Sequence, residues 1–518
     1  MKNALQDRRA PPVRTAAPTS RPPPVNGWNT KDNATLMKPG WARVLDNWIP
    51  RPHRVEVRKG AADHATGLAA PIETLMAYRP ASGTGKLFGA TTGGIYDVTS
   101  AGAIGSVASA ATNARWAHVN FATSAGQFLC AVNGTDTYRY YNGTTWSTVA
   151  TFTLGAGTLA TTSVIGIAVH QSRLFFIPKD DLSFYFLDTV GTLYGTVIKF
   201  NLDQVFSMGG YLTAMGSWTF DGGDGPEDRA VFVSSEGQVA VYTGTDPADT
   251  TKWKLTGTFY IGRPIGRRCL VKLAGDLALL TERGVFPLSK ALGTAGMDRA
   301  VALSSAIEPT IAQQANSYFS TFGWQLFLHS TETLLLVTIP SSPRVIYAMD
   351  LLSKGWCRLL GWDAQCLESL NGSLYYGTEG KVVKAFDGTS DFGADIQAEL
   401  ATSFDYFSRR GQTKHLELVR PHFQSETSFS FALGASVDFE LTLPTVYLNA
   451  VPPTALYLWD TALWDAAYWT SDGTIFADWR TVSVRPGYAV SLYLKTSSRY
   501  TTPALLALDY LFSAGGVL

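Results

Sequence analysis

Short apolar runs separated by polar turns dominate the chain. Between about residues 72 and 390 one unit keeps returning: an apolar strand, a turn holding Gly, Asp or another polar residue, and a second apolar strand. It reads KLFGATTGGIYDV from Lys86, QFLCAVNGTDTYRYYNGTTW from Gln127, RLFFIPKDDLSFYFL from Arg173 and RAVFVSSEGQVAVYTG from Arg229. It continues as DLALLTERGVFPLSK from Asp276, QLFLHSTETLLLVTI from Gln325 and SLYYGTEGKVVKAFDG from Ser373. The starts lie 41, 46, 56, 47, 49 and 48 residues apart. Each unit predicts a β-hairpin with a tight turn. A lone hairpin is marginal, because one face and one edge stay exposed. The spacing leaves room for four strands per unit, the arithmetic of propeller blades packed radially so that edges are protected. The expectation is an all-β chain whose body, 72–390, is a β-propeller of six or seven blades. An irregular array of β-sandwiches is the alternative.

Helical periodicity is scarce. AIEPTIAQQANSYFSTF from Ala306, with good helix formers and a proline near its start, predicts a single inserted helix. Residues 395–518 alternate well (HLELVRPHF, SFSFALGASVDFELTL, AVSLYLKT, ALLALDYLF) and predict a separate C-terminal β-sandwich domain, placed at 391–518. Within it, Trp459, Trp464 and Trp469 recur every five residues, which fits neither the helical period nor the strand period. Either they anchor the sandwich core, or a folded-back loop sets their indoles against something large.

The N-terminal part divides in two. Residues 26–60, NGWNTKDNATLMKPGWARVLDNWIPRPHRVEVRKG, carry Trp28, Trp41 and Trp48 and end in alternating Arg54-Val55-Glu56-Val57-Arg58. Alternation puts the valines on one face and the charged residues on the other, so 25–71 is assigned as an ordered lead-in with a first strand. Residues 1–24 hold six prolines and the arginines Arg8, Arg9, Arg14 and Arg21, with almost nothing bulky and apolar. Such a segment buries too little to offset its ordering entropy and predicts an extended N-terminal arm. It is either a leader without a role or a basic arm that orders on a neighbouring subunit.

Composition sharpens this picture. The 518 residues are 46% hydrophobic, 12% aromatic and only 16% charged, with 48 glycines, against about 25% charged in a typical soluble domain. A β-rich protein with much of its surface covered by neighbours fits that mixture. Lys plus Arg and Asp plus Glu number 42 each, so the net charge is zero, which excludes a surface that is basic throughout. The zero is a sum of unlike parts. Residues 1–60 hold twelve basic and four acidic side chains, or +8, and the remainder carries −8. The N-terminus lacks the apolar core of a secretory signal, and no run reaches the roughly 18 apolar residues of a spanning helix, so no stable membrane insertion is expected. Cys130, Cys269, Cys357 and Cys366 show no CxxC spacing and are expected to be reduced thiols of a protein made in a cytoplasm. Cys357 and Cys366 could pair only if adjacent strands carried them.

Known catalytic patterns are not met. SGTGKLFGATTGG (82–94) lacks the first Gly and the Ser or Thr of a phosphate-binding loop, since Pro80 and Leu87 stand there, and predicts a Gly-rich hairpin turn. The seven histidines are scattered, and DGGDGPED (221–228) lacks the spacing of a calcium loop. There is no GxSxG elbow. SDGTIFADW (471–479) and YNGTTW (141–146) echo the turns of sugar-cleaving propellers at the wrong spacing. The expectation is a non-enzyme with no cofactor and no metal.

Several segments do resemble a family. GWNTKDNATLMKPGWARVLDNWIPRPHRVEVRKG is similar to the segment that leads into the propeller of tail nozzle proteins (tail tubular protein B-like, or tail hub proteins) of short-tailed bacteriophages. GKLFGATTGGIYDV resembles their first blade, and LWDTALWDAAYW, FADWRTVSVRPGYAVSLYL and LLALDYLFSAGGVL resemble their C-terminal part. The patches are short and degenerate but run from end to end of the chain. His53 departs from the small turn residue usual there, and so does the long proline-arginine leader, which unsettles how the N-terminus would dock. The resemblance implies a structural virion protein: a homohexameric ring under the head-to-tail adaptor, with tail fibres as a further partner, forming the conduit for genome ejection. Double-stranded DNA would then pass without sequence-specific binding, and an acidic body suits that passage, since a basic wall would hold phosphates. On this reading Arg8, Arg9, Arg14 and Arg21 are the candidate adaptor contacts, and Trp459, Trp464 and Trp469 the candidate interface or tip aromatics. The competing expectation is a propeller that binds or cleaves host-surface carbohydrate, as a receptor-binding protein or depolymerase.

Overall fold

The computed structural model describes residues 17–221, 226–293, 299–444, 446–450, 474–482 and 484–517. They form two compact units. One takes residues 28–31 and 58–396, the other the described residues of 17–27, 32–57 and 397–517.

Among the described residues the larger unit is a β-propeller of seven blades, each built on an antiparallel meander of three or four strands, with the short strand Gly102–Ala103 adding in parallel to the outer edge of the seventh. The hairpins read from the sequence become the middle of the four-stranded blades and the last two strands of the three-stranded first and fifth. In the second blade, for example, Gly126–Val132 and Tyr138–Tyr141 lie between Ala117–Thr123 and Trp146–Val149. The sixth blade differs, because its repeat copy supplies the first two strands, Gln325–His329 and Leu334–Ile339. Innermost strands neighbour one another around the ring, and Cys366–Leu370 of the seventh blade lies beside Thr74–Tyr78 of the first. Apolar side chains fill the wedges between blades: Phe184 of the third stacks on Phe232 of the fourth with centroids 4.5 Å apart. Offset aromatic pairs of this kind add to the area they bury. The expected helix is present as Glu308–Tyr318, with Pro309 in its first turn, where a missing N–H costs nothing.

The last wedge closes the ring. Leu75 and Leu87 of the first blade pack with Cys366, Leu370 and Val382 of the seventh and with Ala65. Ala65 belongs to Ala61–Pro71, which pairs antiparallel with Glu379–Ala385 and forms the fourth strand of the seventh blade. The propeller therefore reaches back beyond residue 72, and its final blade is built from both ends of its sequence. Just before this strand sits a buried ion pair. Arg58, 1% exposed, donates from Nη1 and Nη2 to the two carboxylate oxygens of Asp391 at 2.8 and 2.5 Å. It also donates to the carbonyls of Lys59 and Leu360, and its guanidinium lies 4.4 Å from the Trp362 ring centroid. The alternation of 54–58 holds for Val55 and Val57, both buried, but not for Arg58, which turns inward because a carboxylate waits there. Gly60 is needed beside it: a Cβ would stand 2.0 Å from the carbonyl oxygen of Ser390.

The smaller unit is a β-sandwich. One sheet pairs Gln412–Ser425 with Ala504–Val517, and adds Arg54–Val57, Trp48–Arg51, Thr474–Phe476, Arg480–Thr481 and Ala17–Arg21. The other runs Trp41–Asp46, Ile396–Thr402, Val490–Ser498, Phe429–Val437, Tyr447–Ala450. Phe423 of the first sheet meets Phe429 and Phe431 of the second at 5.0 and 5.2 Å. The sandwich is thus larger than 391–518. Residues 41–57, assigned from sequence to a lead-in, supply three of its strands.

Candidate functional site

The residues singled out from the sequence are described only in part. Arg8, Arg9 and Arg14, with Trp459, Trp464 and Trp469, lie outside the described residues. Arg21 is described, and it is committed to its own chain. It sits at the end of Ala17–Arg21, which pairs with Ala504–Val517, and its Nε donates to Asp405 at 2.5 Å while the guanidinium lies 5.4 Å from the Phe407 ring centroid. The last part of the arm therefore orders on this chain's own sheet. Other basic residues of the +8 region are also spent internally: Arg51 and Arg54 on Glu56, Arg58 on Asp391, and Lys59 on Glu332.

The sequence did not single out one recess of the propeller. It opens where the innermost strands begin, and its cavity measures about 330 Å³. Asn113 and Arg115–Ala117 lead into the second blade, Gly266–Arg268 into the fifth and Phe319–Trp324 into the sixth, and all of them line it. Asn133, Thr135, Ile165 and Lys179 complete part of the wall. Among the described residues four cations (Arg115, Lys179, Arg267, Arg268) line the recess and no carboxylate does.

The wall is pre-organised by hydrogen bonds. Asp136 accepts from the backbone N–H groups of Thr112 and Asn113 and, at 2.7 Å, from Nδ2 of Asn133, which also donates to the Asn113 carbonyl. Burial alone would push the Asp136 carboxyl up, but the bonds from Asn133, Thr112 and Asn113 outweigh it and hold it below the usual range. Arg115 reaches Glu73 with Nε and Nη2 at 3.2 and 3.4 Å. Its guanidinium and that of Arg268 lie 4.5 and 4.9 Å from the Phe322 ring centroid. Arg268 donates from Nη2 to the Glu73 carbonyl at 3.0 Å and to Thr74 Oγ1 at 2.5 Å. Its Nη1 is buried without a hydrogen-bond partner among the described residues. Burial lowers the pKa of both Arg267 and Arg268 from the arginine value, against the pull of Tyr211 and Asp180 on the first and of Cys366, Glu73 and Glu368 on the second.

A second polar cluster lies on the innermost strand of the seventh blade. Glu368 accepts from Arg79 Nη2 at 2.6 Å and lies 3.0 Å from Nε2 of His118. Burial raises its pKa, but His118, Arg79 and the Ser369 N–H more than compensate, so it is held as a carboxylate and is no reservoir of protons. The four cysteines are buried and no disulfide joins them, Cys357 and Cys366 included. Burial pushes Cys130 and Cys269 up to about 12 and Cys366 to about 11, which leaves these thiols protonated and unreactive. The chemistry this arrangement offers is the binding of negative charge. No sequence pattern announced it, because the cations are scattered over more than 150 positions and only the ring brings them together.

No protein-family model matches the chain, and no curated protein matches it. Among solved structures, BBS1N in complex with ARL6DN, from a mercury-soaked crystal, is similar at 10% identity and a TM-score of 0.40, over 63% of this chain and 96% of that one. The lead-soaked form of the same complex gives 11% and 0.40, over 65% and 100%. A chain of the mitotic checkpoint complex gives 12% and 0.33, over 74% and 98%.

Proposed function

We propose that the chain is a structural virion protein, the tail nozzle of a short-tailed bacteriophage. Six copies form a ring beneath the head-to-tail adaptor and leave a conduit through which double-stranded DNA passes. One observation supports the self-association above the rest. Phe439, Leu441, Leu443, Val446 and Tyr447 are all exposed, Val446 to 70%. They lead into Tyr447–Ala450, which among the described residues pairs on one side only, with Phe429–Val437. An edge strand beside an apolar run is a template for another chain, and isolated proteins rarely leave such a run uncovered. A second copy of this chain is the occupant assigned to it. The nozzle identity itself rests on the resemblance of the lead-in and C-terminal segments. Adaptor contact through Arg8, Arg9 and Arg14, and a tip role for Trp459, Trp464 and Trp469, belong to the same proposal, which is non-enzymatic and needs no cofactor.

Mass photometry and electron microscopy of the full chain, alone and with an adaptor ring, test it. The expected particle has six times the 56.0 kDa mass of one chain and a central hole. Leu441→Glu with Val446→Glu should abolish that particle while leaving the thermal midpoint nearly unchanged, since both side chains are exposed. A stable monomer or trimer that binds or cleaves carbohydrate overturns the proposal.

A further inference from the structure

We infer that the recess at the start of the innermost strands is a binding site for a small oxyanion, a carboxylate or phosphoryl group carried on a molecule no larger than a monosaccharide. Three observations converge on it. First, among the described residues the charge lining the recess has one sign: Arg115, Lys179, Arg267 and Arg268 line it without a carboxylate. Arg115 spends its charge on Glu73, but among the described residues no ion pair joins Lys179, Arg267 or Arg268 to an acid. Asp180 acts on Arg267, and Glu73 and Glu368 act on Arg268, so these three carboxylates are the counter-charges a ligand would have to outbid.

Second, Arg268 is anchored on one side only. Its Nη2 is fixed by Glu73 and Thr74, while Nη1 has neither solvent nor a partner. A buried donor left unmet costs free energy, and the positive charge of this guanidinium, set into the wall that Arg115, Lys179 and Arg267 share, favours an anion in the recess. Third, size and lining suit a small molecule. The cavity of about 330 Å³ lies at the lower end of small-ligand sites. Thr135 and Ser320 could meet hydroxyls, and Phe319 and Trp324 add apolar wall. A duplex nucleic acid is too wide for such a recess, so this site is separate from any conduit.

Isothermal titration of the full chain with inorganic phosphate, glucuronate and glucose tests the inference. Both anions should bind at least about tenfold more tightly than glucose, and more weakly as salt rises. Arg267→Ala and Lys179→Ala, both exposed at the rim, should together weaken anion binding about tenfold or more without moving the thermal midpoint of the unliganded protein. Phosphate binding as well as glucuronate identifies a site for the free oxyanion, and tighter glucuronate binding identifies an acidic sugar; each upholds the site. Absence of binding by either anion overturns it, as does an affinity unchanged in the double variant or glucose binding equally well.

Discussion

The Arg58–Asp391 pair makes a quantitative claim about how the propeller stays closed. Arg58 is almost fully buried and Asp391 retains only 18% side-chain exposure, so Arg58 has no water to fall back on and Asp391 little. Replacing Arg58 with Met leaves a carboxylate with one indole N–H, Trp362 Nε1 at 3.3 Å, as its nearest remaining side-chain donor. Breaking a buried pair from one side costs roughly 3–5 kcal/mol, chiefly through the stranded charge. Asp391→Asn should cost a similar amount, slightly reduced because the Lys59 and Leu360 carbonyls still hold the guanidinium. In the double variant no charge is stranded, so its loss should fall short of the sum by about 2–3 kcal/mol. At a specific unfolding entropy of about 2 cal/mol/K per residue, a propeller of roughly 340 residues loses about 4–7 °C of thermal midpoint for each single change. Calorimetry reads that shift. Hydrogen exchange reads its location, since amides of Ala61–Pro71 and Glu379–Ala385 should lose protection before those of the third and fourth blades. A shift under about 1 °C, strictly additive losses, or uniform loss of protection around the ring would refute the latch.

Three further outcomes are expected. Asp509 in the sandwich is pushed up by burial, but His422, Arg420 and Ser20 hold it at about 2. A depressed carboxylate contributes stability that is complete above its unfolded pKa of about 4 and lost as pH falls toward 2, so acid unfolding of the sandwich should steepen in that window and flatten in Asp509→Asn, by up to about 2 kcal/mol. Iodoacetamide at pH 8 should label none of the four cysteines in the native protein and all four in urea; native labelling of Cys130, Cys269 or Cys366 would contradict their burial. Relative to a chain that begins at residue 17, one that begins at residue 25 lacks the strand Ala17–Arg21 and the Arg21–Asp405 pair, and its sandwich should be less stable by about 2 kcal/mol or more, read by urea titration.

Sequence alone decided the local grammar of this protein. Alternating apolar residues and polar turns placed the hairpins, their recurrence placed the blades, and the proline in its first turn placed the one long helix. These features depend on neighbours a few residues apart, so they can be read directly. Tertiary structure decided everything that joins distant segments. The closing strand Ala61–Pro71, AADHATGLAAP, has almost no apolar alternation, and it becomes a strand because Glu379–Ala385 offers it an open edge. Residues 41–57 likewise pair with strands from beyond 396, which no local pattern reveals. Arg58 reads as a surface residue until Asp391 arrives from more than 300 positions away. The cations of the recess were each legible as charge, but a site is a concentration of charge in space. Only ring closure, by setting the starts of separate blades around one opening, supplies it.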